Sequence, residues 1–148
     1  MAIASDRRPQ GDRRGRVVLA DSHLNLLQGV HDLLGNLFAS VLMVADESSL
    51  LDVVATQHPD LAVVDLSLPR ESDVDAVRRL MACHPDVRVL VLSVDNDQTA
   101  ADLLLGAGAK GFVLKRALAG DLKPAVEKVM QGGVYVSPSV SNIRVSEM

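Results

Sequence analysis

The stretch that most constrains this chain is Leu61–Pro69, Leu-Ala-Val-Val-Asp-Leu-Ser-Leu-Pro. Four apolar residues run into one carboxylate, Asp65, behind a Pro59-Asp60 break and ahead of Pro69. A short Val-rich run bounded in this way predicts a buried strand. Strands buried on both faces belong to parallel sheets covered by helices. Pro69 lacks an amide hydrogen and ends the pairing. A lone carboxylate inside such a strand would be costly to bury. At the strand's carboxyl end it stands at the mouth of the sheet, where open α/β folds place their ligands. An Asp that simply ends the strand and caps the next loop is an equally open reading of this stretch alone.

The rest of the chain repeats the pattern. Val17–Ala20 is apolar and ends at Asp21. From Leu24 to Phe38 the spacing is helical, with one stripe through Leu24, Leu27, Leu34 and Phe38 and a second through Leu26, Leu33 and Leu37. Ser22 is the better of two candidate caps, ahead of His23. Val41–Ala45 predicts the second strand, and Asp46 caps a helix that carries Glu47 in its first turn and runs to Gln57. After Asp65, Arg70–Asp75 reads as a polar loop leading into a helix through Val77, Leu80 and Met81. Val87–Ser93 is the fourth strand, and Asp95-Asn96-Asp97 opens a helix broken by Gly106 and Gly108. Lys110–Leu114 is the fifth strand, ending at Lys115. Asp121–Met130 is the last helix, stopped by Gly132-Gly133, with a short extended segment at Val134–Pro138.

Five strands alternating with five helices imply an α/β fold, a doubly wound parallel sheet with helices on both faces. The expected architecture is flavodoxin-like (βα)5 with strand order 2-1-3-4-5, an order known from flavodoxin and a receiver protein. In that order the first and third strands are neighbours. Their carboxyl ends carry Asp21 and Asp65, while the fourth strand ends at Ser93 and the fifth at Lys115. Two carboxylates, a hydroxyl and an ammonium converge on one edge. Singly, a terminal Lys is usually a solvated charge and a Ser after a strand a turn residue; together they are far more specific. Such oxygen ligands suit Mg²⁺, which binds one or two carboxylates plus a phosphoryl oxygen. A carboxylate can also attack phosphorus to give an aspartyl phosphate.

Composition narrows the alternatives. The chain of 148 residues is 48% hydrophobic, enough for one domain with a core. No apolar run reaches membrane-spanning length and no secretory signal is visible, so the expectation is a cytoplasmic protein without membrane contact. Cys83 is the only cysteine, which leaves no internal disulfide. Residues 1–16 hold five arginines against two aspartates, a surplus of three positive charges, so the remainder carries −7 of the total −4. An acidic body argues against direct nucleic-acid binding. The expected organisation is a disordered Arg-rich lead-in at 1–15, a domain at 16–138 and a flexible tail at 139–148. A flavodoxin-type cofactor site needs a phosphate-cradling loop after the first strand, and Ser22–Asn25 has no glycine.

Val-Val-Leu-Ala-Asp-Ser-His at 17–23, Val-Val-Asp-Leu-Ser-Leu-Pro at 63–69, Val-Leu-Ser at 91–93 and Gly-Ala-Gly-Ala-Lys-Gly-Phe-Val-Leu-Lys at 106–115 resemble the response-regulator receiver domain of bacterial two-component signalling. The last piece, with Gly-Gly-Val-Tyr-Val-Ser-Pro at 132–138, resembles the subgroup usually followed by a LuxR-type helix-turn-helix active in transcription regulation. A stand-alone receiver and one domain of a longer regulator both stay open. The resemblance implies a signalling module, not an enzyme beyond Mg²⁺-dependent self-phosphorylation and slow self-dephosphorylation. It makes Asp65 the phosphoacceptor, served by a partner histidine kinase or phosphotransfer protein. Mg²⁺ would be held by Asp21, Asp65 and the Ser67 backbone carbonyl. Ser93 would be the switch hydroxyl, Phe112 the switch aromatic, moving inward as Ser93 approaches the phosphate, and Lys115 the phosphate-binding lysine. The chain departs from the pattern at Ser22, where the family usually has a second acid, at Asp73, usually Gly, and at Arg116, often Pro. Ser22 implies a weak metal site and supports an alternative, a receiver-like interaction domain that does not use phosphate. The second stripe of helix one is either the margin of a wide buried face or a docking or homodimer surface.

Overall fold

A computed structural model describes residues 14–21, 27–65, 70–94 and 98–138. Strands β1 (Arg14–Ala20), β2 (Phe38–Val44), β3 (Leu61–Asp65), β4 (Arg88–Ser93), β5 (Gly111–Leu114) and β6 (Tyr135–Val136) alternate with helices. These are α1 (Leu27–Gly35), α2 (Glu47–Gln57), α3 (Arg70–Cys83), α4 (Gln98–Gly106) and α5 (Leu118–Met130). A 3₁₀ turn, Lys115–Ala117, joins β5 to α5. The sheet order is β2-β1-β3-β4-β5-β6, every pair parallel. The expected 2-1-3-4-5 order is therefore present, with β6 added at the β5 edge.

Side chains alternate across this sheet because the strand period is two. Val18, Ala62, Val89, Val91, Phe112 and Leu114 face one core with α2, α3 and α4. Val17, Leu19, Leu61, Val63, Leu90, Leu92 and Val113 face the other with α1 and α5. Strands covered on both faces must be apolar at every position, which is why β3 and β4 read as unbroken Leu/Val runs. Asp46 caps α2 as expected, its carboxylate accepting from the Ser49 amide at 2.8 Å. His58 ends that helix in the left-handed region, φ 48, its amide bonded to the Val54 carbonyl. Gly132, at φ 96, serves the same purpose after α5.

Four expectations are corrected. Phe38 belongs to β2, where it pairs with Arg14, and not to helix one. Asn36 and Leu37 close a turn onto Leu33 and Leu34, so Phe38 enters the same apolar cluster as Leu34 from a strand. An i, i+4 pair of apolar residues across a helix end looks like one stripe. Arg70–Asp75 is the opening of α3 and not a loop; apolar periodicity starts only at Val74, so nothing earlier marked the helix. The last helix opens at Leu118, three residues ahead of Asp121, because Leu118 joins the core beside Leu122, Ala125 and Val129. Gly120 and Pro124 break the helical signal in the sequence. Finally, β1 opens at Arg14, ahead of Val17, since β2 extends far enough to pair with it.

Leu33 and Leu37 are half-buried against the α1/α5 core. Where it is described, the second stripe is thus the margin of a wide buried face. Leu24 and Leu26 lie outside the described residues, as do the cap at Ser22 or His23, the Asp95-Asn96-Asp97 helix opening, and most of the lead-in and tail. Phe38, 1% exposed, is among the largest fully buried side chains. Phe38→Ala should cost about 3–5 kcal/mol by leaving a cavity between α1 and the sheet. Urea unfolding checks this; a loss below about 1 kcal/mol would mean that Phe38 does not fill the core as described.

Candidate functional site

Register brings the site together. β1 and β3 pair Val17 with Leu61 and Ala20 with Val64, so one further step sets Asp21 beside Asp65. Asp65 itself pairs with Leu92, and Ser93 pairs with Leu114. Lys115 is then the first residue past the end of β5. Parallel strands all point their carboxyl ends the same way, so four residues distant in sequence meet on one edge.

Asp21, Asp65 and Ser93 are buried. Lys115 Nζ lies directly against Asp65 Oδ1 as an ion pair, with the two side chains 14% and 2% exposed. Among the described residues the Lys115 ammonium is the partner given for this oxygen. Burial pushes the Asp65 carboxyl up to about 6; Asp21, close enough to hydrogen-bond, adds to the rise, and Lys115 pulls against it. Among the described residues the site therefore places two buried carboxylates, Asp21 and Asp65, with the Lys115 ammonium. Two buried carboxylates side by side suit a hard cation with oxygen ligands. Among the described residues no third His, Cys, Asp or Glu joins the pair. Mg²⁺ needs no more than two protein carboxylates when a phosphoryl oxygen completes the shell. Asp21 and Asp65 thus fit Mg²⁺.

Of the residues singled out in the sequence, Asp21, Asp65, Ser93 and Lys115 lie on this edge. Ser22 and Ser67 lie outside the described residues. Phe112 is buried in the α2/α3/α4 core, 0% exposed, in register with Val91. Its expected inward turn would accompany phosphorylation of Asp65. One buried polar residue was not singled out. Ser137 Oγ accepts from the Leu114 amide at 3.0 Å and donates to Asp121 Oδ2 at 2.8 Å. It stands in the Val-Ser-Pro motif, but a serine before a proline ordinarily reads as a turn.

Comparison with known proteins adds a family. The response regulator receiver domain family matches residues 17–127. The chain is 34% identical over 134 residues to the transcriptional regulatory protein DegU of Brevibacillus brevis, covering 89% of this chain and 57% of that protein. It is 30% identical over 143 residues to the oxygen regulatory protein NreC of Staphylococcus carnosus, covering 89% and 62%. It therefore spans about three fifths of the length of these relatives. Among solved structures, a two-component response regulator of the LuxR family from Aurantimonas sp. SI85-9A1 superposes with a TM-score of 0.80 at 25% identity, covering 89% of this chain and 96% of that one.

The crowding of two buried carboxylates generates a prediction. Asp21→Asn keeps the shape and removes one charge, so it should stabilise the metal-free domain by about 1 kcal/mol at pH 7. The urea midpoint in chelator reads this. An unchanged or lower midpoint would show that Asp21's own contacts outweigh the repulsion.

Proposed function

This chain belongs to the response regulator receiver family, a signalling family, and on that premise we propose that Asp65 accepts a phosphoryl group from a partner histidine kinase or phosphotransfer protein. The observation that carries the proposal is the buried Asp65 carboxylate set against the Lys115 ammonium at the carboxyl edge of the central strand. A carboxylate oxygen of Asp65 attacks phosphorus, and the new O–P bond forms as the donor's bond to phosphorus breaks, its electron pair leaving with the donor. Lys115 and the Ser93 hydroxyl hold the phosphoryl oxygens by charge-assisted hydrogen bonds. Mg²⁺ held by Asp21, Asp65 and the Ser67 carbonyl would offset the charge of the incoming phosphate. Because the new group adds charge where Lys115 now meets Asp65, the ammonium must re-aim, and Ser93 and the β4–β5 edge repack around it. Ser93, moving towards the phosphate, opens space into which Phe112, the switch aromatic, turns. The domain acts in the cytoplasm, with the repacked edge setting a protein-interaction surface, a homodimer among its candidates. In a full-length regulator the output is transcriptional, as in DegU.

A second reading, a receiver-like interaction domain that does not use phosphate, is favoured by Ser22, where the family usually places an acid. A unit charge about 4 Å from a divalent ion is worth roughly 2 kcal/mol at the dielectric of water. Water filling the vacant position and lower repulsion of phosphate offset part of that.

Intact mass after treatment with a small phosphodonor and Mg²⁺ tests the first reading. Wild type should gain one phosphoryl mass and Asp65→Asn none; labelling that survives Asp65→Asn sinks the assignment. A Mg²⁺ titration separates the two readings. Ser22→Asp should bind Mg²⁺ about tenfold more tightly and accept phosphate at lower Mg²⁺. If neither protein takes phosphate at saturating Mg²⁺, the phosphate-independent reading stands.

A further inference from the structure

Lys115 sits in a short turn between two elements. It opens the 3₁₀ turn Lys115–Ala117, which has no side-chain cap and leads straight into α5. Its ammonium must nevertheless hold a fixed place in the pocket, and a long flexible stem does not provide that by itself. The turn is braced from both flanks by one hydroxyl. β6 pairs with β5 only at Gly111↔Tyr135 and Phe112↔Val136, and the Ser137 amide then bonds the Phe112 carbonyl at 2.9 Å. With the strand at its end, the next β5 amide on that edge, Leu114, is met by the Ser137 hydroxyl at 3.0 Å. The same hydroxyl gives its proton to Asp121 in the first turn of α5, at 2.8 Å. Asp121 also bears on the Tyr135 phenol, which burial in the first place, and then this carboxylate, shift upward. Ser137 is 0% exposed, so water does not compete for these bonds. One buried side chain thus ties the residue immediately before Lys115 to the helix immediately after its turn.

We propose that Ser137 is a positioning residue for Lys115, setting from the C-terminal segment where the ammonium stands against Asp65. This rests on the reading of Asp65 as phosphoacceptor and Lys115 as the group that holds phosphate. Removing the hydroxyl leaves the Leu114 amide buried without its acceptor and lets the turn shift. Sub-ångström errors of that kind at a charged group act on reaction more than on folding.

The test compares S137A, S137T, D121A and a control, V136A, in the same chain. V136A thins the packing of β6 and leaves the hydroxyl bridge alone. Two readouts are taken. The first is the NMR signal of the Lys115 side chain in the unphosphorylated protein. The second is the rate of phosphorylation against small-donor concentration at saturating Mg²⁺. S137A should move the Lys115 signal and raise the half-saturating donor concentration about tenfold. D121A, which cuts the other half of the bridge, should move both in the same direction. S137T, which retains the hydroxyl, and V136A should stay near wild type in both. If V136A and S137A have equal effects, Ser137 is only structural and the proposal falls. If S137A does not fold, D121A against V136A decides in the same way. If wild type takes no phosphate, the phosphoacceptor reading fails separately; the Lys115 signal then decides this one, and an unmoved signal in S137A and D121A overturns it.

Discussion

The ion pair between Asp65 and Lys115 is the interaction on which the rest of this structure bears. A buried carboxylate costs several kcal/mol in solvation unless a counter-charge and hydrogen bonds offset it. Among the described residues the offset comes from the Lys115 ammonium, and a second carboxylate, Asp21, works against it. The arrangement is poor as a stabilising device and good as a receptive one. It sets two buried carboxylates beside one ammonium, an arrangement whose charge a hard cation with oxygen ligands would offset. Functional sites in folded proteins are where local stability is most often sacrificed in this way.

That place exists because of the sheet. Six parallel strands deliver their carboxyl ends to one edge, and the β1–β3 and β4–β5 registers decide which residues stand side by side. The layers on either face keep the strands in register. Shifting β3 by one residue would turn Val63 and Asp65 to the opposite face and place a carboxylate in the apolar interior, so the core itself enforces the site geometry. Phe112 illustrates the same coupling. Its ring lies wholly inside the core that α2, α3 and α4 form on the sheet, directly beside the strand that ends at Ser93. Any movement of Ser93 or Lys115 must be accommodated by side chains packed at near-crystalline density, which favours discrete rearrangement over gradual deformation.

The C-terminal edge belongs to this arrangement as well. β6 is only two residues long, yet the chain just beyond it reaches back through Ser137 to the end of β5 and the start of α5. A buried hydroxyl with both partners satisfied is rigid, because breaking either bond strands a polar group away from water. The edge that carries Asp65 and Lys115 and the chain just beyond β6 therefore share a backbone junction at Leu114.

Much of this was legible in the amino-acid order. The alternation of Val-rich runs and helical stripes gave the α/β class, and strand-terminal Asp21, Asp65, Ser93 and Lys115 stood out because, ordinary singly, all four close strands that meet on one edge. Periodicity reports burial, and burial is decided locally by the strand and helix periods. What periodicity could not report was set by partners distant in sequence. Phe38 joined a strand because Arg14 was there to pair with it; Leu118 joined a helix because the core on the α1/α5 face had room for it. The first turns of α3 carried no apolar signal at all. The contact of Lys115 with Asp65 and the rise in the Asp65 pKa depend on burial depth and on a neighbour in another strand. The double hydrogen bond of Ser137 depends on where a two-residue strand happens to end. Residue types and their spacing determined what chemistry the chain can present; only the tertiary structure decided which of those groups touch, because distances across a sheet are fixed by register and packing and not by position along the chain.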